Sequence, residues 1–111
     1  MASNVVNLFL DQGAEFYRTM TVVDINNLPI NLTNYTIAGQ IRKTYTSVAN
    51  TSLDLVFLDR IAGRVSMGLN HSVTETLQGG KYVYDIEITS PENKKYRILE
   101  GVLTVNPNVT R

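Results

Sequence analysis

Apolar and polar residues alternate with a period of two along most of the chain, which is the pattern of half-buried strands. The clearest stretches are "EFYRTMTVVD" (15–24), "KYVYDIEIT" (81–89) and "YRILEGVLTVN" (96–106). Shorter stretches of the same kind occupy 5–11, 35–45, 53–59 and 63–70. Seven or eight short strands, frequent turn signals and no long helical pattern predict an all-β, antiparallel, immunoglobulin-like β-sandwich.

One segment breaks the alternation, at "HSVTETLQGG" (71–80). Ser72 and Glu75 stand three residues apart, as in a capping box, and predict one short helical turn near 72–78. Gly79 and Gly80 then predict a turn into the next strand. In immunoglobulin-like sandwiches a tyrosine enters the strand at this point and its hydroxyl bonds to backbone upstream. Tyr82 is the candidate for that position.

Tyr82 and Tyr84 fall on one face of their strand together with Ile86 and Ile88. The opposite face, which includes Asp85 and Glu87, is mostly polar. We therefore expect both tyrosines to be core aromatics with a satisfied hydroxyl, and Gly79 and Gly80 to be structural too. An exposed pair that stacks on a ligand is the less favoured alternative, because the whole face is apolar.

Length and composition bound the class of protein. A chain of 111 residues with 43% hydrophobic residues fits one folded domain, 1–111. Ten basic and ten acidic residues cancel, which disfavours a nucleic-acid partner. Apolar runs fall far short of the roughly 18 residues of a membrane span, so no membrane is expected. Without cysteine, neither a disulfide nor a thiolate metal site is available.

Candidate catalytic chemistry is sparse. His71 is the single histidine, and nothing around it suggests a nucleophile or an acid–base partner. The carboxylates are scattered over strand ends and turns, where they discourage aggregation of sheet edges. Neither a calcium loop nor a phosphate-binding loop is recognisable. The sequence therefore predicts a protein without enzymatic activity, cofactor or metal.

Both ends of the sequence carry little that would hold them to a core. They are "MASN" at the start and, at the other end, Asn106, Pro107, Asn108, Val109, Thr110 and Arg111. Such segments either lie on a partner as arms or fray at the ends of the fold, and both alternatives stay open. Small sandwiches without an active site usually bind other proteins through edges, faces or termini.

The order of motifs along the chain resembles a known module. The chain contains "D-x-G" from Asp11, "D-x-x-x-x-P-I-x-L-T-x-Y" from Asp24, "Q-I-R" from Gln40 and "T-x-x-L-x-x-G-x-Y-x-Y-D-I" from Thr74, followed by "G-x-L-x-V" and a final "V-T-R". This pattern resembles the virion module of tailed bacteriophages represented by the N-terminal immunoglobulin-like domain of siphophage baseplate upper proteins. It is also similar to small stand-alone virion proteins of myophages, including cyanophages.

The resemblance implies a location in the virion and a non-enzymatic structural role. The expected protein is a docking or adaptor module of the tail, baseplate or neck, present in multiple copies or as a homo-oligomer. Its partners would be other virion proteins. A capsid decoration protein is the alternative, and a module that binds host glycans is a less favoured one. The baseplate proteins continue into a receptor-binding scaffold, which has no counterpart in these 111 residues.

Overall fold

The computed structural model describes residues 4–107 and residue 109. The strands in this range are β1 (Asn4–Val5), β2 (Leu8–Asp11), β3 (Phe16–Thr21), β4 (Thr36–Arg42), β5 (Thr51–Ser52), β6 (Asp54–Asp59), β7 (Arg64–Leu69), β8 (Gly80–Thr89) and β9 (Lys95–Asn106). One helical turn, α1, spans His71–Thr74. The prediction of an all-β fold with a short helical turn is confirmed, while the immunoglobulin-like assignment stays a prediction.

The strands form two sheets. The larger sheet has the order β1-β9-β8-β4-β5, and β2 also pairs with β9. The smaller sheet has the order β3-β7-β6. Between β5 and β6 only Leu53 intervenes, and its N–H donates to the Gly39 carbonyl at 3.0 Å. The chain therefore passes from one sheet to the other at this residue.

The first strand differs from the expectation of a wholly antiparallel sandwich. Both β1 and β2 pair with β9 in parallel, and Val6 and Asn7 separate them. The predicted strand over 5–11 is thus two strands, and the two-residue β5 lies between the predicted strands over 35–45 and 53–59. These two differences explain why the described residues form nine strands, against the seven or eight that were predicted.

The helical turn begins one residue earlier than the sequence suggested. Asn70 is the N-cap, and its Oδ1 accepts from the Val73 N–H at 3.1 Å. The predicted capping box at Ser72 is wrong, because Ser72 lies inside the turn. Asn70 directly follows β7. Because its side chain caps the helical turn, α1 begins immediately after the strand ends.

The core lies between the inner faces of the two sheets. Leu32, Ile86 and Ile88 have no exposed surface, and Ile41, Leu103 and Val105 are exposed by 2% or less. Leu32 belongs to the β3–β4 connection, and its N–H donates to the Arg60 carbonyl at 2.7 Å. The connection is therefore anchored in the core, which fixes the segments on either side of Leu32.

Candidate interaction surfaces

Tyr82 and Tyr84 lie on the inner face of β8, as predicted. Tyr84 is 3% exposed, whereas Tyr82 is partly buried and packs against the core. The Tyr82 hydroxyl donates to the Gln78 carbonyl at 2.8 Å, which is the upstream backbone bond expected of it. The Lys43 ammonium lies 4.6 Å from the centroid of the Tyr82 ring. One ring is buried and the other is partly buried beside a cation, so the two do not form an exposed pair.

Tyr84 has a second role that the sequence did not suggest. Its hydroxyl donates to the Val6 carbonyl at 2.5 Å, between β1 and β2. Gly101, the cross-strand neighbour of Tyr84, makes room for that carbonyl, since a Cβ at Gly101 would collide with it. Burial raises the pKa of Tyr84 to about 12. The hydroxyl therefore remains protonated and donates to the Val6 carbonyl. This bond fixes the chain where it passes from β1 to β2.

Gly79 and Gly80 are needed for two different reasons. Gly80 has a φ of 138°, which disfavours any residue with a side chain. Gly79 lies against the C-terminal segment, and a Cβ there would be 2.5 Å from Cγ of Pro107. The double glycine thus serves both the turn into β8 and the packing of the chain after β9.

The C-terminal residues divide into an attached part and an exposed part. The Asn106 carbonyl accepts from the Gln12 N–H at 2.9 Å. The Asn106 side-chain Nδ2 donates to Asp11 Oδ1 at 3.2 Å. Pro107 packs on Gly79. Val109 is 95% exposed. Because Asn106 and Pro107 are attached to the fold, the predicted arm can begin only after Pro107. Asn108, Thr110 and Arg111 lie outside the described residues.

His71 pairs with a carboxylate at the start of β3. Its Nδ1 lies 2.7 Å from Glu15 Oε1, and its backbone N–H donates to Glu15 Oε2 at 2.9 Å. The hydrogen bond to Glu15 and the negative charge of Glu15 raise the pKa of His71, and the same hydrogen bond lowers the pKa of Glu15. Both side chains are more than half exposed. The pair fastens α1 to the residue that precedes β3.

We define the helical end of the sandwich as residues 12–15 together with 70–80. Thr74 is fully buried there, and its hydroxyl donates to the Ala14 carbonyl at 2.8 Å. Gln12 Nε2 donates to the Leu77 carbonyl at 2.9 Å. Side chains thus satisfy backbone carbonyls at this end, and Leu77, which is 6% exposed, closes the core beneath them.

The remaining carboxylates do not form a metal site in the part of the chain that the structure describes. No group of three or more His, Cys, Asp or Glu side chains comes together there. On the outer face of β8, Asp85 lies 3.4 Å from the Arg97 guanidinium, which also contacts Glu100 at 3.5 Å. The single helical turn of the described chain is too short for a transmembrane helix.

The opposite end, residues 22–30 and 60–63, is built differently, and we call it the hairpin end. Val23 and Pro29 pair as the base of a small hairpin. At its tip, Asp24 Oδ1 accepts from the N–H groups of Asn26 and Leu28, at 2.8 and 3.0 Å. The Asp24 N–H donates to the Leu28 carbonyl at 2.9 Å, and Asn27 has a φ of 63°. These bonds define the shape of the tip.

This ordered tip displays apolar side chains. Ile25 is 85% exposed, Leu28 is 59% exposed, and Ile61 on the neighbouring turn is 74% exposed. The two segments are joined, because the Val22 N–H donates to the Gly63 carbonyl at 2.8 Å. No surface was predicted at "INNLPI" (25–30), which lies between the alternating stretches 15–24 and 35–45. The signal passed over was an isoleucine and a leucine on either side of the Asn-Asn pair.

The chain is similar in structure to parts of two solved proteins. No protein-family model matches the chain, and no curated protein matches it. An internalin-like protein of Listeria monocytogenes is similar in structure, with a TM-score of 0.48 and 16% identity over 94% of this chain. A family 123 glycoside hydrolase from Clostridium perfringens has a TM-score of 0.44 and 14% identity over 97% of this chain. The chain spans 28% and 24% of their lengths, and neither similarity identifies a function.

Proposed function

We propose that the chain is a non-enzymatic docking or adaptor module of a tailed-bacteriophage particle, present in multiple copies at the tail, baseplate or neck. The observation that carries the docking role is the hairpin end, where Ile25 and Leu28 project from a hydrogen-bonded turn. Grouped apolar side chains held on a rigid projection are typical of protein interaction sites. The virion location rests on the sequence resemblance.

The energetics suit a contact that is repeated on a symmetric particle. Full burial of one Ile or Leu side chain contributes about 1.5–3 kcal/mol. Because the Asp24 carboxylate fixes the turn before any partner arrives, little conformational entropy is lost when the tip is covered. A single copy would bind weakly, whereas several copies on one particle would bind together and persist.

The motif behind the resemblance is consistent with this role for the hairpin. In "D-x-x-x-x-P-I-x-L-T-x-Y", Asp24 caps the tip, Pro29 pairs with Val23, and Leu32 is buried in the core. The motif specifies these structural positions and does not specify the amino acids at residues 25–28. A common scaffold would then carry a tip whose side chains suit a particular partner.

The order of strands supports the immunoglobulin-like assignment. The fold pairs its second, fifth and fourth strands in one sheet and its third, sixth and seventh strands in the other. Here β3, β7 and β6 form one sheet, while β4, β8 and β9 are consecutive in the other. The bond from the Tyr82 hydroxyl to the Gln78 carbonyl adds the expected tyrosine contact.

The proposal is tested by incorporation into particles of the phage that encodes the chain. The double variant Ile25→Ser/Leu28→Ser removes the apolar tip and leaves the capping carboxylate in place. Val48→Ser is the matched control, because Val48 is 90% exposed on a different loop. We expect the double variant to fold but to lose at least tenfold in copies per purified particle, while the control incorporates fully. Absence of the parent protein from particles would contradict the virion role, and full incorporation of the double variant would contradict docking by the tip.

A further inference from the structure

The two sheets have four edges within residues 4–107, and three of them are protected against pairing with another strand. On β3, Arg18 stands on the core side, its guanidinium lies 4.9 Å from the centroid of the Phe16 ring, and it donates to the Tyr17 carbonyl at 2.8 Å. An inward charge of this kind is a common protection of an edge strand. β5 is only two residues long. Neither edge offers a flat apolar strand.

The chain itself contacts the C-terminal end of the β6 edge. The Arg60 guanidinium lies 3.8 Å from the centroid of the Phe57 ring and donates to the carbonyls of Leu32 and Tyr35, at 3.0 and 2.9 Å. A register shift between Phe57 and Asp59 distorts the end of the strand. Both this contact and the irregular register discourage a further strand from pairing here.

The fourth edge, β2, has none of these protections. Leu8–Asp11 is regular, carries neither lysine nor proline, and has a partner strand, β9, on one side only within residues 4–107. The N–H groups of Val6 and Gln12 donate to β9. Because parallel pairing uses alternate residues, the N–H and C=O of Phe9 point away from β9. The Phe9 side chain is 61% exposed, on the outer face.

The sequence of this edge is self-complementary. In "NLFLD" (7–11) an antiparallel two-fold pairing centred on Phe9 places Phe9 opposite Phe9 of a second copy and Leu8 opposite Leu10. Leu8 and Leu10 are 8% and 4% exposed on the inner side, so their cross-strand pairs would extend the core across the contact. Asn7 would face Asp11, so that no two like charges oppose each other.

We infer that β2 is a homodimer interface, in which two copies of the chain pair their edges antiparallel about a two-fold axis at Phe9. The outward N–H and C=O of the two Phe9 residues exchange hydrogen bonds, and the two rings form a cross-strand aromatic pair. The larger sheet becomes continuous through both copies. A two-fold contact uses the same patch twice and closes after one partner, so it gives dimers and not filaments.

A disulfide experiment tests the register directly, because the chain has no native cysteine. In the proposed pair the two Phe9 Cα atoms lie about 5.5 Å apart, within reach of a disulfide. Two Val5 residues would be roughly 26 Å apart, from an offset of about eight residues at 3.3 Å each. We expect Phe9→Cys to form a covalent dimer under mild oxidation at least tenfold more than Val5→Cys, although Val5 is more exposed, at 72%. Equal cross-linking of both variants would overturn the register.

Sedimentation equilibrium tests the dimer without a covalent bond. We expect the parent to dimerise and Phe9→Lys to weaken dimerisation at least tenfold. Tyr17→Lys on the protected β3 edge is the matched control, since Tyr17 is 59% exposed, and it should dimerise like the parent. A monomeric parent, or a dimer unaffected by Phe9→Lys, would overturn the inference. The Ile25→Ser/Leu28→Ser variant should also dimerise, so loss of docking and loss of pairing are distinguishable.

Discussion

The two ends of the sandwich use polar side chains for opposite purposes. At the helical end, Thr74 and Gln12 satisfy backbone carbonyls over a closed core. At the hairpin end, Asp24 satisfies N–H groups and thereby holds Ile25 and Leu28 out in solvent. The difference indicates that the helical end serves the stability of this chain. The hairpin end is just as ordered, but its order presents a surface.

A large effect on stability should come from the buried hydroxyl of the helical end. Thr74→Val keeps the shape of the side chain but leaves the Ala14 carbonyl without its donor, and should reduce the free energy of unfolding by about 1–3 kcal/mol. Thr76→Val is the control, since the exposed Thr76 hydroxyl donates to the Val73 carbonyl at 2.7 Å, where water can replace it. Urea unfolding of both variants measures the difference. Equal losses would mean that burial does not distinguish the two bonds.

The hairpin end should behave in the opposite way in the same assay. Ile25→Ser/Leu28→Ser exchanges exposed side chains, so the free energy of unfolding should stay within about 0.5 kcal/mol of the parent. If the double variant loses as much unfolding free energy as is expected for Thr74→Val, the Ile25 and Leu28 side chains stabilise the fold. The contrast between the two ends would then be wrong.

The two tyrosines of β8 give a graded test within one strand. Tyr84→Phe leaves the Val6 carbonyl unsatisfied beneath the sheet and should cost about 1–3 kcal/mol of unfolding free energy. Tyr82→Phe removes a partly exposed bond to Gln78 and should cost only about 0.5–1.5 kcal/mol. Chemical denaturation ranks the two variants. The reverse order would assign the principal anchoring bond to Tyr82.

The C-terminal arm remains a prediction that truncation can sharpen. Removal of residues 108–111 leaves the Asn106 and Pro107 contacts intact, so the fold should be unchanged by circular dichroism and by thermal unfolding. Removal of residues 106–111 also deletes the bonds to Gln12 and Asp11 and should lower the unfolding temperature. If the shorter truncation incorporates into particles at full occupancy, the arm does not contribute to docking.

A small effect is expected from the pH dependence of the His71–Glu15 pair. Because the pKa of His71 is raised above 6.5, its contribution is present below that pH and is lost as the pH rises through the folded-state value. Because the pKa of Glu15 is lowered below 4.5, its contribution is present above that pH and is lost on acidification. The unfolding temperature of the parent should exceed that of His71→Gln most near about pH 5.5. A difference that grows towards pH 8 would contradict the pairing.

The sequence predicted those features whose causes lie close together along the chain. The Tyr82 bond spans four residues, and the glycine turn precedes it directly, so local pattern sufficed. The Tyr84 hydroxyl and the Val6 carbonyl are 78 residues apart, and parallel pairing of β2 with β9 joins the two ends of the chain. Period-two alternation carries no information about which strands pair. The hairpin tip was not predicted, because Ile25 and Leu28 lie outside the alternating stretches and follow no strand or helix period.

Docking through the hairpin end can be seen in a reconstruction of the phage particle. We expect the hairpin end of each copy, at Ile25 and Leu28, to be covered by another virion protein, while the helical end makes no contact that it needs for its own order. A particle in which every copy turns the hairpin end to solvent and binds through the helical end would exclude docking by the tip.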